Sequence, residues 1–207
     1  MIENIKPMDI EKRSFEIISE LLGDIRLDPE NELVVKRVIH TTADFEYVQN
    51  LAFSEHAVQH GIEALKSGCD IVTDTQMAKA GINKTILGKL GGQVHCFMSD
   101  PDVAAEAKER GITRAIVSME RAAKLEKPCI FAIGNAPTAL ISLYEQMQAG
   151  KLHPALIIGV PVGFVNVVES KELILQSGVP HIVARGRKGG SNVAAAICNA
   201  MLYQIMR

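Results

Sequence analysis

The amino-acid sequence predicts an α/β fold: an open, doubly wound parallel sheet of about five strands with helices on both faces, preceded by a helical N-terminal segment. Three observations carry this expectation. Short β-rich runs alternate with helical segments from residue 69 onward. The runs are apolar through their middles instead of alternating in polarity, as strands covered on both faces are. A helix signal follows each run, so crossover connections and a parallel sheet are expected.

Taken in order, the first 68 residues read as helical. One helix is expected over residues 9–22, stopped by Gly23, with Ile10, Ser14, Ile17, Ile18 and Leu21 on one face by helical spacing. A second covers residues 30–42. Val34, Val35, Val38 and Ile39 form its apolar face, and Arg37 and His40 lie three apart on another. A third covers residues 56–66, after Ser54 and before Gly68. The strands are expected at residues 69–73, 93–98, 129–134, 155–162 and 181–185. Asp100-Pro101 places a capping carboxylate before a first-turn proline, and Gly111 ends that helix. Asn135-Ala136-Pro137 opens another, which Gly150 ends, and Ser191 is expected to cap a last helix running to the C-terminus. No repeat, linker or low-complexity tract interrupts this order, so residues 1–207 are expected to form a single domain.

Composition removes several function classes. At 207 residues the chain suits one full domain, and 47% hydrophobic content supplies a sizeable core. Aromatics make up only 4%, with no Trp, which leaves no stacking platform for single-stranded nucleic acid. A net charge of −2 argues against nucleic acid and anionic membranes, so an anionic ligand would need a local cluster. No leader is expected, because the mixed, charged stretch from Met1 to Lys12 lacks the pattern of one. The longest apolar runs fall far below the roughly 20 residues that span a bilayer. Cys69, Cys96, Cys129 and Cys198 are scattered, without a CxxC pair. They read as buried thiols of a cytoplasmic protein, and neither a metal nor another cofactor is expected.

In a doubly wound sheet, ligands sit beyond the carboxyl ends of the strands, near helix N-termini. That rule directs attention to residues 74–77, 99–100, 135–138, 163–165 and 185–191. The last of these, Arg185-Gly186-Arg187-Lys188-Gly189-Gly190-Ser191, has the clearest logic. Its glycines allow close approach, its cations attract carboxylate or phosphate, and a helix N-terminus follows. It is no Walker A loop, and a solvated basic turn is the plain alternative. Gly134-Asn135-Ala136-Pro137-Thr138 and Gly159 to Val165 are further small-residue strand ends, without a dinucleotide fingerprint.

Among the six histidines, His153 and His181 read as loop or edge residues, and His95 as a satisfied core imidazole. His56 and His60, spaced i, i+4, could chelate a metal but read better as a helix-surface pair. His40 differs in its company, Arg37-Val38-Ile39-His40-Thr41-Thr42-Ala43-Asp44. A cation one turn earlier would favour neutral imidazole and could hold an anion beside it, and histidine donates protons readily near neutrality. Ser14, the polar member of an apolar stripe, reads by pattern as bonding back to the carbonyl of Ile10.

Together these segments resemble the precorrin-8X methylmutase family across nearly the whole chain. The matching stretches are Ile10-Glu11-Lys12-Arg13-Ser14-Phe15, the run from Arg37 to Phe45, Ile71-Val72-Thr73-Asp74-Thr75-Gln76-Met77, the run from Gly134 to Leu140, Gly159 to Val165, and Arg187-Lys188-Gly189-Gly190-Ser191. Each fragment alone is weak; six in order are specific. The resemblance implies a flavodoxin-like sheet and a homodimer with active sites at the subunit interface. The implied reaction is a shift of a methyl group from C-11 to C-12 of precorrin-8X or cobalt-precorrin-8, giving hydrogenobyrinate or cobyrinate in cobalamin biosynthesis. It assigns the proton-donor role to His40 and substrate contacts to Ser14 and Arg37. Further contacts are expected from Asp74, Asn135, Thr138, Gly163, Arg187, Lys188, Gly190 and Ser191 at the strand ends. A sigmatropic shift needs no nucleophile, metal or redox cofactor. It gains from protonation of the macrocycle and from a site shaped to the distorted ring. A non-catalytic tetrapyrrole carrier and a flavin- or nucleotide-binding protein of similar topology are the competing readings.

Overall fold

The computed structural model describes Lys6 and residues 9–206. The residues before Asp9 other than Lys6, over which part of the leader reading was made, and Arg207 lie outside the described residues. The chain begins with α1 (Ile10–Leu22), α2 (Glu32–Thr42), α3 (Tyr47–Asn50), β1 (Leu51–Phe53) and α4 (Ala57–Lys66). It continues with β2 (Asp70–Thr73), α5 (Gln76–Gly81), α6 (Lys84–Lys89), β3 (Val94–His95), α7 (Pro101–Arg110) and α8 (Arg114–Ala122). The remainder is β4 (Cys129–Ile133), α9 (Pro137–Gln148), β5 (Leu156–Gly159), α10 (Val167–Leu175), β6 (His181–Ala184) and α11 (Ser191–Ile205).

All six strands form one sheet in the order β1-β6-β5-β4-β2-β3. The five expected strands are present and pair in parallel, two of them shorter than expected: β3 keeps only Val94–His95 of 93–98 and β5 only Leu156–Gly159 of 155–162. The correction lies at the edge. β1 falls within the stretch read as wholly helical and pairs antiparallel to β6, with Leu51 opposite Ala184 and Phe53 opposite Ile182. Three residues carry no legible period, and the pairing partner lies far along the chain. Bonds from Ser54 N to His181 O and from Arg185 N to Asn50 O (3.0 and 2.8 Å) extend the join. The expectation that His181 would lie at an edge or in a loop is also corrected. It is buried between β1 and β5, and its Nδ1 lies 2.8 Å from the Val179 carbonyl.

Every residue of β2, β4, β5 and β6 is buried, as strands covered on both faces must be. Alternate side chains serve opposite cores. Ile71, Ile130, Leu156, Ile158 and Ile182 pack with Val34, Val38, Leu65, Ile197 and Met201 of α2, α4 and α11. Val72, Phe131, Ile133, Ile157 and Val183 pack with Met119, Leu140, Leu143 and Ile174 of α8, α9 and α10. On α1 the expected stripe divides: Ile18 is buried, whereas Ile10, Ile17 and Leu21 stay exposed.

Two cap expectations change. Ser191 is the first residue of α11, not its cap; Gly190 takes the cap position at φ 138°. Asp100 caps α7 without a side-chain bond to the helix and accepts instead from the Arg121 guanidinium at 2.9 Å.

Candidate functional site at the carboxyl ends of the strands

In this topology the strand order reverses between β2 and β4, which connect to opposite flanks of the sheet. Such a switch point is where an anionic ligand usually meets helix N-termini. Here a side chain of the protein itself occupies the position. Asp74, which directly follows β2, is 1% exposed. Its carboxylate accepts from the backbone N–H groups of Gly134, Asn135 and Ala136 at 2.8, 2.8 and 2.6 Å. These are the amides that open α9. Burial pushes the Asp74 carboxyl above its ordinary range, and the amides of Gly134, Ala136 and Asn135 pull the other way. Close packing seals the place, because a Cβ on Gly134 would lie 2.7 Å from Ser191 Cα and 2.8 Å from Gly190 O. Asn135 stays exposed, and the Thr138 and Thr113 hydroxyls share a hydrogen bond of 3.0 Å.

The other end of the edge is open. The turn between β6 and α11 is pinned against the β5–α10 turn by Gly190 N to Val160 O at 2.9 Å and Gly163 N to Arg187 O at 3.1 Å. Only glycine fits at 189, where a Cβ would meet Val160 O at 2.1 Å. From beneath, fully buried Lys171 of α10 donates to Gly186 O and Lys188 O at 2.8 and 2.9 Å. Burial pushes its ammonium down to about 8. Sequence reading did not single this lysine out, because one cation in a helix of mixed polarity looks like a surface residue. Arg187 is exposed with its guanidinium 5.8 Å from the Phe164 ring centroid. Val162, Phe164 and Val165 leave an exposed apolar rim beside it. The Ser191 hydroxyl shares a 2.7 Å hydrogen bond with that of Thr75.

Lys188 joins this turn to the end of α2. Its ammonium donates to Asp44 at 2.5 Å and lies 3.0 Å from Glu46. The hydrogen bond from Lys188 holds the Asp44 carboxyl below its usual range, with a backbone N–H from Glu46 helping. A cleft of about 370 Å³ opens along the seam, lined by Thr41, Thr42, Asp44, Tyr47, Val162, Lys188, Gly189 and Asn192. His40 immediately precedes it in the last turn of α2. Its ring is exposed and packs edge-on against Phe15 of α1, with centroids 5.8 Å apart.

Arg37 and Ser14 lie behind this histidine. The Arg37 guanidinium donates to both carboxylate oxygens of Glu11 at 2.9 and 2.7 Å. It also lies between the Phe15 and Tyr203 rings, at 5.1 and 4.9 Å. It therefore clamps α1 onto α2 and is not aimed along the helix toward His40. The Ser14 hydroxyl donates to Ile10 O at 2.9 Å, the local bond its pattern suggested. His95, read as a satisfied core imidazole, is half-buried with Nε2 2.9 Å from Asp70. Among the described residues no helix is long and apolar enough to cross a membrane.

The model of the precorrin-8X methylmutase family matches residues 9–204. The cobalt-precorrin-8 methylmutase of Salmonella typhimurium is 47% identical over 97% of this chain and 96% of its own length. That of Priestia megaterium is also 47% identical, over 95% of this chain and 88% of its own. The precorrin-8X methylmutase of Pseudomonas aeruginosa is 39% identical over 93% of each. The crystal structure of the Thermus thermophilus precorrin-8X methylmutase superposes with a TM-score of 0.88 at 38% identity, covering 96% of this chain and 98% of that one.

Proposed function

Because the chain belongs to the precorrin-8X methylmutase family, isomerases of cobalamin biosynthesis, we propose that it moves a methyl group from C-11 to C-12 of a corrin precursor with His40 as the proton donor. The observation that carries the residue assignment is the Lys188–Asp44 tie. It draws the basic, glycine-shaped turn against the end of α2, so the cleft begins one residue after His40. The substrate is a flat, apolar ring edged with acidic arms. The open seam offers matching chemistry: the apolar rim of Val162, Phe164 and Val165 beside the cations of Arg187 and Lys188.

Proton donation by one positioned imidazole contributes roughly 10²–10⁴-fold. It redistributes charge over the conjugated ring as the methyl group migrates, so interactions that strengthen with that charge supply the rest. In this reading Gly163, Gly190 and Ser191 shape the two facing turns, while Asn135, just before α9, and Thr138, in its first turn, face the substrate. Asp74 acts from inside, by holding the α9 turn. Arg37 and Ser14 serve through α1, keeping Phe15 against His40. The reading places the chain in the cytoplasm. It also takes the protein to be a homodimer whose second subunit closes the exposed His40 side of the cleft, since a ring left open to water would lose its proton to solvent.

The cobalt form is the proposed natural substrate, a choice supported by the names of the two relatives at 47% identity. Those names also favour turnover over a carrier. The switch point filled by Asp74 disfavours a nucleotide phosphate there. The test is incubation of the purified protein with cobalt-precorrin-8 and, separately, precorrin-8X, following the absorption spectrum. Conversion of the cobalt form at the higher kcat/KM is expected. No conversion of either by folded protein would reject the assignment.

A further inference from the structure

Lys171 stands in a place where a lysine costs stability. It is 0% exposed within α10, burial pushes its ammonium down, and the partners described for that ammonium are backbone carbonyls. A buried ammonium lacking a counter-ion is expensive, and an apolar chain of similar length would fill the same space. Among the described residues, its cost is offset by the two carbonyls it holds, Gly186 O and Lys188 O. Between them, Arg187 O is held by Gly163 N. Three successive carbonyls are thus turned inward, with Gly186 and Gly189 at φ 73° and 159° allowing the bend. A turn held this way presents its side chains at the surface, and Arg187 is indeed exposed.

We propose that Lys171 is a positioning residue for substrate binding: from beneath the β6–α11 turn it holds the backbone in the shape that presents Arg187 and Lys188 to the acidic arms of the tetrapyrrole. The inference rests on the function proposed above. Lys171 touches no substrate and takes no part in proton transfer. Its contribution lies in affinity, through a preformed turn and a fixed positive charge behind it.

The experiment compares parent and Lys171→Met, using cobalt-precorrin-8 as substrate and cobyrinate as titrant, followed by absorbance. Lys171→Met is expected to fold, to raise KM and weaken cobyrinate binding about tenfold, and to keep kcat within roughly threefold. A variant with KM and cobyrinate affinity within about twofold of the parent overturns the proposal. A folding defect alone would lower kcat per milligram and leave KM in place. Should Lys171→Met not fold, Lys171→Gln and a pH titration of the parent decide. Binding of cobyrinate by the parent should weaken severalfold as pH rises through about 8, where Lys171 loses its proton.

Other ionisable groups surround the turn. Arg185 lies 3.7 Å from Glu172, and Lys188, paired with Asp44 and Glu46, is raised above the ordinary lysine range. Arg187 stands exposed on the turn itself. His181 on β6 and Tyr144 and Glu145 on α9 are the further ionisable groups on elements that flank α10. Affinity that stays flat through this range overturns the proposal. Failure of the parent to convert substrate would sink the function reading. A converting parent with indifferent Lys171 variants would sink this one alone.

Discussion

The α9 and α11 helices both begin at the carboxyl edge of the sheet, yet their opening turns are built with opposite polarity. At α9 the backbone offers three amides, and a buried carboxylate, Asp74, takes all of them. At α11 the preceding turn offers its carbonyls inward, and a buried ammonium, Lys171, takes two. The first arrangement consumes the anion-binding capacity of a helix N-terminus and closes the switch point. The second spends a cation on the backbone and leaves Arg187 exposed beside an apolar rim. Position in the fold names a place for a ligand; the buried charge beneath each turn decides whether the place is free.

The largest effect tests on which flank the chemistry lies. His40→Ala should lower turnover by about 10²–10⁴-fold while leaving melting and cobyrinate affinity close to the parent's. Near-normal turnover in a steady-state assay would move the proton donor elsewhere. Next, Asp74→Ala should cost on the order of 3 kcal/mol in urea unfolding, because three amides lose their acceptor in a sealed place. The folded fraction should bind cobyrinate only severalfold more weakly, through the loosened turn that carries Asn135. A variant that stayed stable but lost the ligand would make the closed turn the binding turn and invert the comparison.

A smaller effect concerns pH. The folded ammonium of Lys171 releases its proton at about 8, against a reference of 10.5. Between those values the unfolded chain binds more protons, so this residue makes stability rise with pH across that window. From pH 8 to 9 the gain is about 1 kcal/mol, seen as the difference between parent and Lys171→Met. The buried thiols act in the other direction. Cys69, Cys129 and Cys198 are raised from 9.0 to about 12, 11 and 12, so their contribution is complete below about 9 and lost above it. That loss is common to both proteins and cancels in the difference. A parent curve parallel to that of Lys171→Met would remove the buried charge from the account. Smallest of all, Lys188→Ala should raise KM about threefold, with the parent's advantage shrinking as salt screens the exposed tie to Asp44. A salt-independent difference would mean that Lys188 acts through packing and not through charge.

Much of this was legible from residue patterns. The five parallel strands announced themselves as apolar runs, four of them because both their faces are covered. The helices opening at Pro101 and Pro137 announced themselves through first-turn prolines. The exposed Arg187 and the glycines around it were visible as a cluster in one short stretch. Strand β1 was not, since three residues have no period and its register is dictated by β6, 130 residues later. Nor was the true partner of Arg37. Helical spacing placed it one turn before His40, but its guanidinium reaches across to Glu11 on another helix. The same limit applies to Asp74, whose acceptors' partners stand some 60 residues away.

The sequence by itself determined the class of the sheet, the family, and the segments that lie at its carboxyl edge, because each follows from local periodicity or from contiguous motifs. Tertiary structure alone decided which backbone groups of those turns are taken up from within. That choice depends on Asp74 and Lys171, buried charges far in sequence from the turns they hold, and no pattern within one segment reports the sign of the charge packed beneath it.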